Sequence, residues 1–329
     1  MKWLNMFKFI SFTLTLIFSL VLAGCNVVNN TSSLVTINTY DYDPGNKTGI
    51  NISIGNSAPI KAEIDTGSDM TVVNESAIES ADIIKTTESM SMIYGGGENT
   101  VSGYLAYGSV TFTTNNGTTI SSAKNTPLLI VTNGSVNEGG GNNAILGMRM
   151  NNQVSVRLYL PAPYNNMMIL NRPNNQLIFG QLNSTQLNNF ANIQQMQVSC
   201  VNYNVPVMLK NTCWDVAANS VSYTYTESGI KNTTTYPTIF DSGEANASFY
   251  FSPAPSWMAY DNHDVITTPL TVAANTDKGP IELPLTGNVY YRNIPTSTVN
   301  PGNNLFNSYQ VLFDQVDGII GFQNYNNPL

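Results

Sequence analysis

Histidine is nearly missing from this chain. Its 329 residues include one, His263, and only three cysteines. A nucleophilic site of the Ser-His-Asp or Cys-His kind would have to use His263. That residue sits in the polar run Tyr260-Asp261-Asn262-His263-Asp264, which reads as a solvated loop, and no Gly-x-Ser-x-Gly elbow accompanies it. Several Cys or His ligands at short spacing, as a zinc site needs, are also lacking. No metal and no cofactor is expected. Charged residues make up only 10% and the net charge is −8, with no cluster of Lys and Arg. Neutralising phosphates needs such a cluster, so nucleic acid is not an expected partner. Beyond the first 24 residues, long apolar stretches with a 3.6-residue period are scarce, which argues against a helical fold. If the chain is a hydrolase, carboxylates must do the work.

Val, Ile, Thr, Tyr and Gly are spread throughout and favour strands and turns, so the reading is all-β. Residues 1–24 have a basic start, an apolar core too short for a comfortable membrane span, and small residues at the end, which is the pattern of a signal peptide. The segment closes on Leu22-Ala23-Gly24-Cys25. This resembles the lipobox of bacterial lipoproteins, in which the cysteine is diacylated and becomes the mature N-terminus. The resemblance implies a lipid-anchored protein of the cell envelope. Asn26 after the cysteine points to the outer membrane, on its periplasmic or surface face. Residues 25–46 read as a polar tether with one strand over 34–42. With Cys25 lipidated in an exported protein, Cys200 and Cys213 are left either to pair or to stay as two buried thiols.

The most informative stretch is Ile64-Asp65-Thr66-Gly67-Ser68, where an apolar strand enters a tight turn. A second copy, Phe240-Asp241-Ser242-Gly243-Glu244, lies in the other half of the chain. One Asp-Thr/Ser-Gly alone is an ordinary polar turn. Two copies in two halves suggest two carboxylates brought together, which can share one proton and so act as base and acid at once. The pair resembles the loops of the pepsin-like aspartic peptidases, whose two β-rich lobes each donate one such loop to a cleft between them. Further segments fit. Tyr94-Gly95 at a glycine-rich hairpin tip is similar to the family's flap, Ile145-Leu146-Gly147 to the strand that crosses the first loop, and Leu177-Ile178-Phe179-Gly180 to the strand closing the first lobe. The run 302–314 aligns without gaps on the family's C-terminal pattern.

The resemblance implies a bilobal fold, with a first lobe at 47–182 and a second at 183–329. It implies an aspartic endopeptidase, acting as a monomer on extended peptides or proteins, with Asp65 and Asp241 as the catalytic pair. Thr66 and Ser242 would brace the loops, the amides of Gly67 and Gly243 would help hold the pair flat and oriented, Ser68 would donate to Asp65, and Tyr94 would close over the substrate. The polar segment before Lys47 has no Lys or Arg, so a basic self-inhibitory pro-segment is not evident. Two departures stand out. Glu244 occupies the place of a hydroxyl donor, so it either turns away or adds negative charge beside the pair. Asn300-Pro301 replace two apolar residues before Gly302, and 319–321 offer an alternative crossing strand. These departures motivate a second reading, a pepsin-fold lipoprotein that binds peptide without cutting it. A surface lipoprotein of unrelated β-sandwich fold would hold the two Asp loops far apart. A two-carboxylate glycosidase would use the same groups for other chemistry.

Overall fold

The computed structural model describes residues 33–42, 47–78, 81–94, 99–136, 141–150, 153–200, 213–215, 220–285 and 287–329. The expected signal peptide, Cys25 and the flap residue Gly95 lie outside these residues. Ser33–Leu329 form one compact unit built almost entirely of strands. Among the described residues, no helix is long and apolar enough to cross a membrane.

Alternation builds the first half. Ile50, Ile52 and Ile54 are buried on one face of the strand Lys47–Ile54, while Asn51 is exposed on the other. This period of two is what a half-covered antiparallel strand requires. The next strand, Ile60–Asp65, pairs with it antiparallel. Toward its end the alternation stops, and Ala62 through Asp65 are all buried, because both faces are covered where the strand enters the interior. Ten strands assemble here. From the flap inward they are Ile84–Tyr94, Asn99–Tyr107, Pro127–Asn133, Thr71–Asn74, Ala144–Gly147, Ile60–Asp65, Lys47–Ile54, Val110–Thr113 and Thr119–Ser121, with Tyr40–Tyr42 also on Lys47–Ile54.

Besides a two-stranded ladder, the described residues of the second half form two smaller sheets. One runs Ile230–Thr235, Val221–Glu227, Leu270–Thr276 and Gly279–Leu283; the other runs Val289–Arg292, Ala247–Tyr250 and Thr298–Asn300. A six-stranded sheet takes three strands from each half, in the order Ser33–Asn38, Gln176–Gln181, Met167–Asn171, Tyr309–Asp314, Ile319–Asn324 and Ala191–Gln194. Its central seam, with Leu170 opposite Val311, joins the halves. The buried Arg157 adds to the seam, donating from Nη2 to the Phe313 carbonyl at 2.7 Å. Phe240, just before the second Asp loop, packs edge-on to Phe322 of this sheet with ring centroids 5.4 Å apart. Burying such a ring contributes about 2–3 kcal/mol and anchors the loop.

The strand expected over 34–42 is present as Ser33–Asn38 and Tyr40–Tyr42. It ties the end of the expected tether into the fold, because Ser33–Asn38 pairs along its whole length with Gln176–Gln181, where Leu34, Val35 and Ile37 bury apolar surface. A short 3-10 turn, Glu75–Ala77, follows the first Asp loop, and the flap strand begins at Ile84. The strand Ile230–Thr235 stops short of Asp241, since Pro237 has no N–H to donate; only Thr238 continues, as a single parallel bridge to Val299. Cys200 and Cys213 form a disulfide with Cα atoms 5.0 Å apart. It lies at the base of the small ladder Met196–Val198 with Cys213–Asp215.

Candidate active site

Asp65 ends the strand Ile60–Asp65, which lies parallel to Ala144–Gly147 with Leu146 opposite Ile64 and Gly147 opposite Asp65. The turn that follows folds its own donors back onto the carboxylate. Asp65 Oδ1 accepts from the N–H groups of Gly67 at 2.8 Å and Ser68 at 2.9 Å, and Oδ2 accepts from the Ser68 hydroxyl at 2.5 Å.

Asp241 is presented by a matching arrangement. The segment before it runs parallel to Thr298–Asn300 through the Thr238–Val299 bridge, and Thr298–Asn300 pairs antiparallel with Ala247–Tyr250. The strand crossing the second loop is therefore the one ending Asn300-Pro301-Gly302. The alternative, 319–321, belongs to the six-stranded sheet. Asp241 Oδ1 accepts from the Gly243 N–H at 2.7 Å. Its Oδ2 accepts from the Asn300 carboxamide at 3.0 Å. Glu244 does not take the hydroxyl's part: its carboxylate turns to Ser248, whose hydroxyl donates to Oε1 at 3.3 Å.

The two loops interlock. The Thr66 hydroxyl donates to the Phe240 carbonyl at 2.7 Å and accepts from the Ser242 N–H at 2.9 Å. In return, the Ser242 hydroxyl donates to the Ile64 carbonyl at 2.7 Å and accepts from the Thr66 N–H at 3.1 Å. Each glycine lies against the opposite carboxylate. A Cβ on Gly67 would sit 2.4 Å from Asp241 Cγ, and one on Gly243 would sit 2.6 Å from Asp65 Cγ. No side chain fits in either place, so Asp65 and Asp241 face each other across a pair of glycines.

Burial sets the electrostatics. It pushes Asp65 up to about 8, and the negative charge of Asp241 adds to the rise, while the Ser68 hydroxyl opposes it. Asp241 is raised too, first by burial and then by the charge of Glu244. Two carboxyls this close titrate as one unit, whose first proton leaves far more easily than its second. The phenol of Tyr94, on the last residue of the flap strand, is held well above its ordinary value by burial and by Asp65. Its hydroxyl also lies 3.6 Å from Met92 Sδ. Met90, Met92 and Tyr94 pack against an apolar cluster that includes Met70, Val72, Leu129 and Ile145, forming an apolar wall beside Asp65.

Two features escaped the sequence. Asn300 stood out only as a break in an apolar pattern; its contact with Asp241 depends on the strand crossing. Lys47 and Glu63 form a buried ion pair, 3.1 Å apart, on the two strands leading to Asp65. Glu63 is felt at Asp241 and Lys47 at Glu244, so the pair borders the same site. Opposite charges in two strands of one hairpin were the available signal. His263 lies in an exposed loop.

No protein-family model matches the sequence, and no curated protein is similar to it. Solved structures are. The aspartic proteinase from Irpex lacteus superposes with a TM-score of 0.58 at 15% identity, covering 89% of this chain and 97% of that one. Basic 7S globulin from soybean superposes with a TM-score of 0.59 at 12% identity and the same coverage. One neighbour is a proteinase by name and the other a globulin, so the likeness speaks to architecture. The chain has the bilobal, all-β fold of the pepsin-like aspartic proteinases.

Proposed function

We propose that this chain is an aspartic endopeptidase that hydrolyses extended peptides with a water held between Asp65 and Asp241. The observation that carries the reading is the reciprocal bracing of the two loops, which orients two carboxyls toward one point. In this mechanism the pair carries one proton. The ionised carboxyl takes a proton from the water as its oxygen attacks the peptide carbonyl carbon, and the protonated one gives its proton to the carbonyl oxygen. The tetrahedral diol then collapses. The C–N bond breaks as the nitrogen takes a proton from one carboxyl and a diol hydroxyl returns its proton to the other, so the pair again carries one proton and no bond to the protein forms. Tyr94 and the flap strand cover the site and help exclude water, and an extended substrate pairs with the flap as an added strand. The raised second proton of the pair supports activity up to near-neutral pH.

Lipid anchoring through Cys25 to the envelope, with the chain acting as a monomer, completes the proposal and rests on the sequence. The test uses the soluble chain beginning at Asn26, a diverse peptide mixture from pH 3 to 7.5, and a pepstatin-type inhibitor. Cuts should appear in the parent and fall at least about 1,000-fold in both Asp65→Asn and Asp241→Asn. Glu244 in the place of a hydroxyl favours one competing reading, a peptide-binding module. A folded protein that binds the inhibitor but cuts nothing at any pH would establish that reading instead.

A further inference from the structure

The two catalytic loops differ most at the position three residues beyond the aspartate. In the first loop it is Ser68, whose hydroxyl donates to the outer oxygen of Asp65. In the second it is Glu244, which faces Ser248. A carboxylate has no proton to donate, so this loop cannot supply Asp241 with the corresponding bond. The outer oxygen of Asp241 is nevertheless satisfied, by an amide from another strand.

We propose that Asn300 is a positioning residue for Asp241, delivering from the crossing strand the hydrogen bond that its own loop has lost. The proposal rests on the reading of Asp65 and Asp241 as a working pair. Three observations support it. First, the amide orientation is set independently of Asp241. Asn300 Oδ1 accepts from the Gly302 N–H at 2.9 Å, which leaves Nδ2 as the atom facing the carboxylate. This is an Asx turn, in which a side-chain oxygen caps the backbone two residues on. Second, the turn is held in one shape. Gly302 has φ +73°, and a Cβ there would strike the backbone of Asn246 at 2.8 Å. Pro301 also restrains Asn300 to extended backbone. Third, Asn300 is buried, at 3% exposure, and lies in register opposite Ser248, the residue that engages Glu244. One strand pair thus holds both the donor to Asp241 and the partner that draws Glu244 away.

The chemistry differs from that of a hydroxyl. A serine or threonine hydroxyl can turn and accept, whereas the carboxamide nitrogen only donates. Asn300 therefore holds the Oδ2 atom of Asp241 as an acceptor at every pH and favours the ionised form of that carboxyl.

The experiment compares four soluble chains: parent, Asn300→Ala, Glu244→Thr, and the double variant. The carboxyl titration of Asp241 is followed by carbon NMR with labelled aspartate, assigned against Asp241→Asn. The kinetics of peptide cleavage are followed alongside. Removing one bond to a charged acceptor in Asn300→Ala should raise the Asp241 titration by about one unit and lower kcat about 10- to 100-fold with KM little changed. The acid limb of the pH profile should move up with it. Restoring a hydroxyl in the double variant should recover most of the loss, which a merely structural role for Asn300 would not allow. If Asn300→Ala does not fold, the near-isosteric and uncharged Asn300→Leu removes the donor while keeping the side-chain volume, and the same upward shift is expected. An unchanged titration in the single variant, or a double variant as impaired as the single, overturns the proposal. A parent that cuts no peptide defeats the peptidase reading, while the titration still decides the role of Asn300.

Discussion

The Asp65 side and the Asp241 side of the cleft solve one problem with different residues. Asp65 ends a buried strand and Asp241 follows a segment held by a single bridge, each is crossed by a second strand, and each side offers a glycine to the opposite carboxylate. On the first side every donor to the carboxylate comes from within four consecutive residues. On the second side one donor comes from the loop and the other from a residue 59 positions away. Backbone geometry is what the two halves share, while the side-chain chemistry that fine-tunes each carboxyl has diverged. The charges differ as well. Asp65 has a neutral hydroxyl neighbour, whereas Asp241 has Glu244, itself raised by burial and moderated by Ser248, Arg292 and Lys47.

The shared part of the comparison predicts equal effects. Thr66→Val and Ser242→Ala each remove a hydroxyl that donates to one buried carbonyl and accepts from one buried N–H. Leaving those groups unpaired should cost about 2–4 kcal/mol in either variant. Denaturant unfolding followed by circular dichroism and fluorescence should show the two losses agreeing within about 1 kcal/mol, a spread in keeping with ordinary context dependence. A much larger loss on one side would break the symmetry.

A smaller effect concerns pH. Burial and the charge of Asp241 push Asp65 up to about 8 in the folded chain, against an ordinary 3.8. Between those values the folded state binds more protons than the unfolded one, so stability falls as pH rises through the window. Asp65→Asn removes that titration. Its melting temperature relative to the parent should therefore climb from pH 5 to pH 8, by ~2–4 °C for each kcal/mol of relieved burial. A constant difference across that range would show that Asp65 is not the group responsible.

The smallest effect sharpens the difference between the sides. Glu244→Gln keeps the shape and removes the charge that helps raise Asp241. Removing a negative neighbour lowers a carboxyl's pKa, so the acid limb of the pH–rate profile should move to lower pH by less than about one unit. An unmoved limb would mean that Ser248, Arg292 and Lys47 already neutralise Glu244.

Much of this could be read from residue order. The Asp-Thr/Ser-Gly turns, the hairpin at 49–64, the glycine-rich hairpin from 91 onward, and the strands at 144–147 and 177–180 depend on local alternation and turn chemistry, which neighbouring residues encode. The strand over 34–42 was legible too, but its place in the six-stranded sheet was not, because its partner Gln176–Gln181 lies far along the chain. Where the strand before Asp241 ends was not legible, because pairing to Val299, interrupted by Pro237, decides it.

The sequence by itself determined which two aspartates form the candidate site and which hydroxyls and glycines surround them, since each set sits within one short turn and its chemistry is local. Only the tertiary structure decided what Asn300, Glu244, Lys47 and Glu63 do. A carboxamide becomes a donor to Asp241 when a strand crossing brings it within 3.0 Å, and buried charges act on one another through space rather than along the chain.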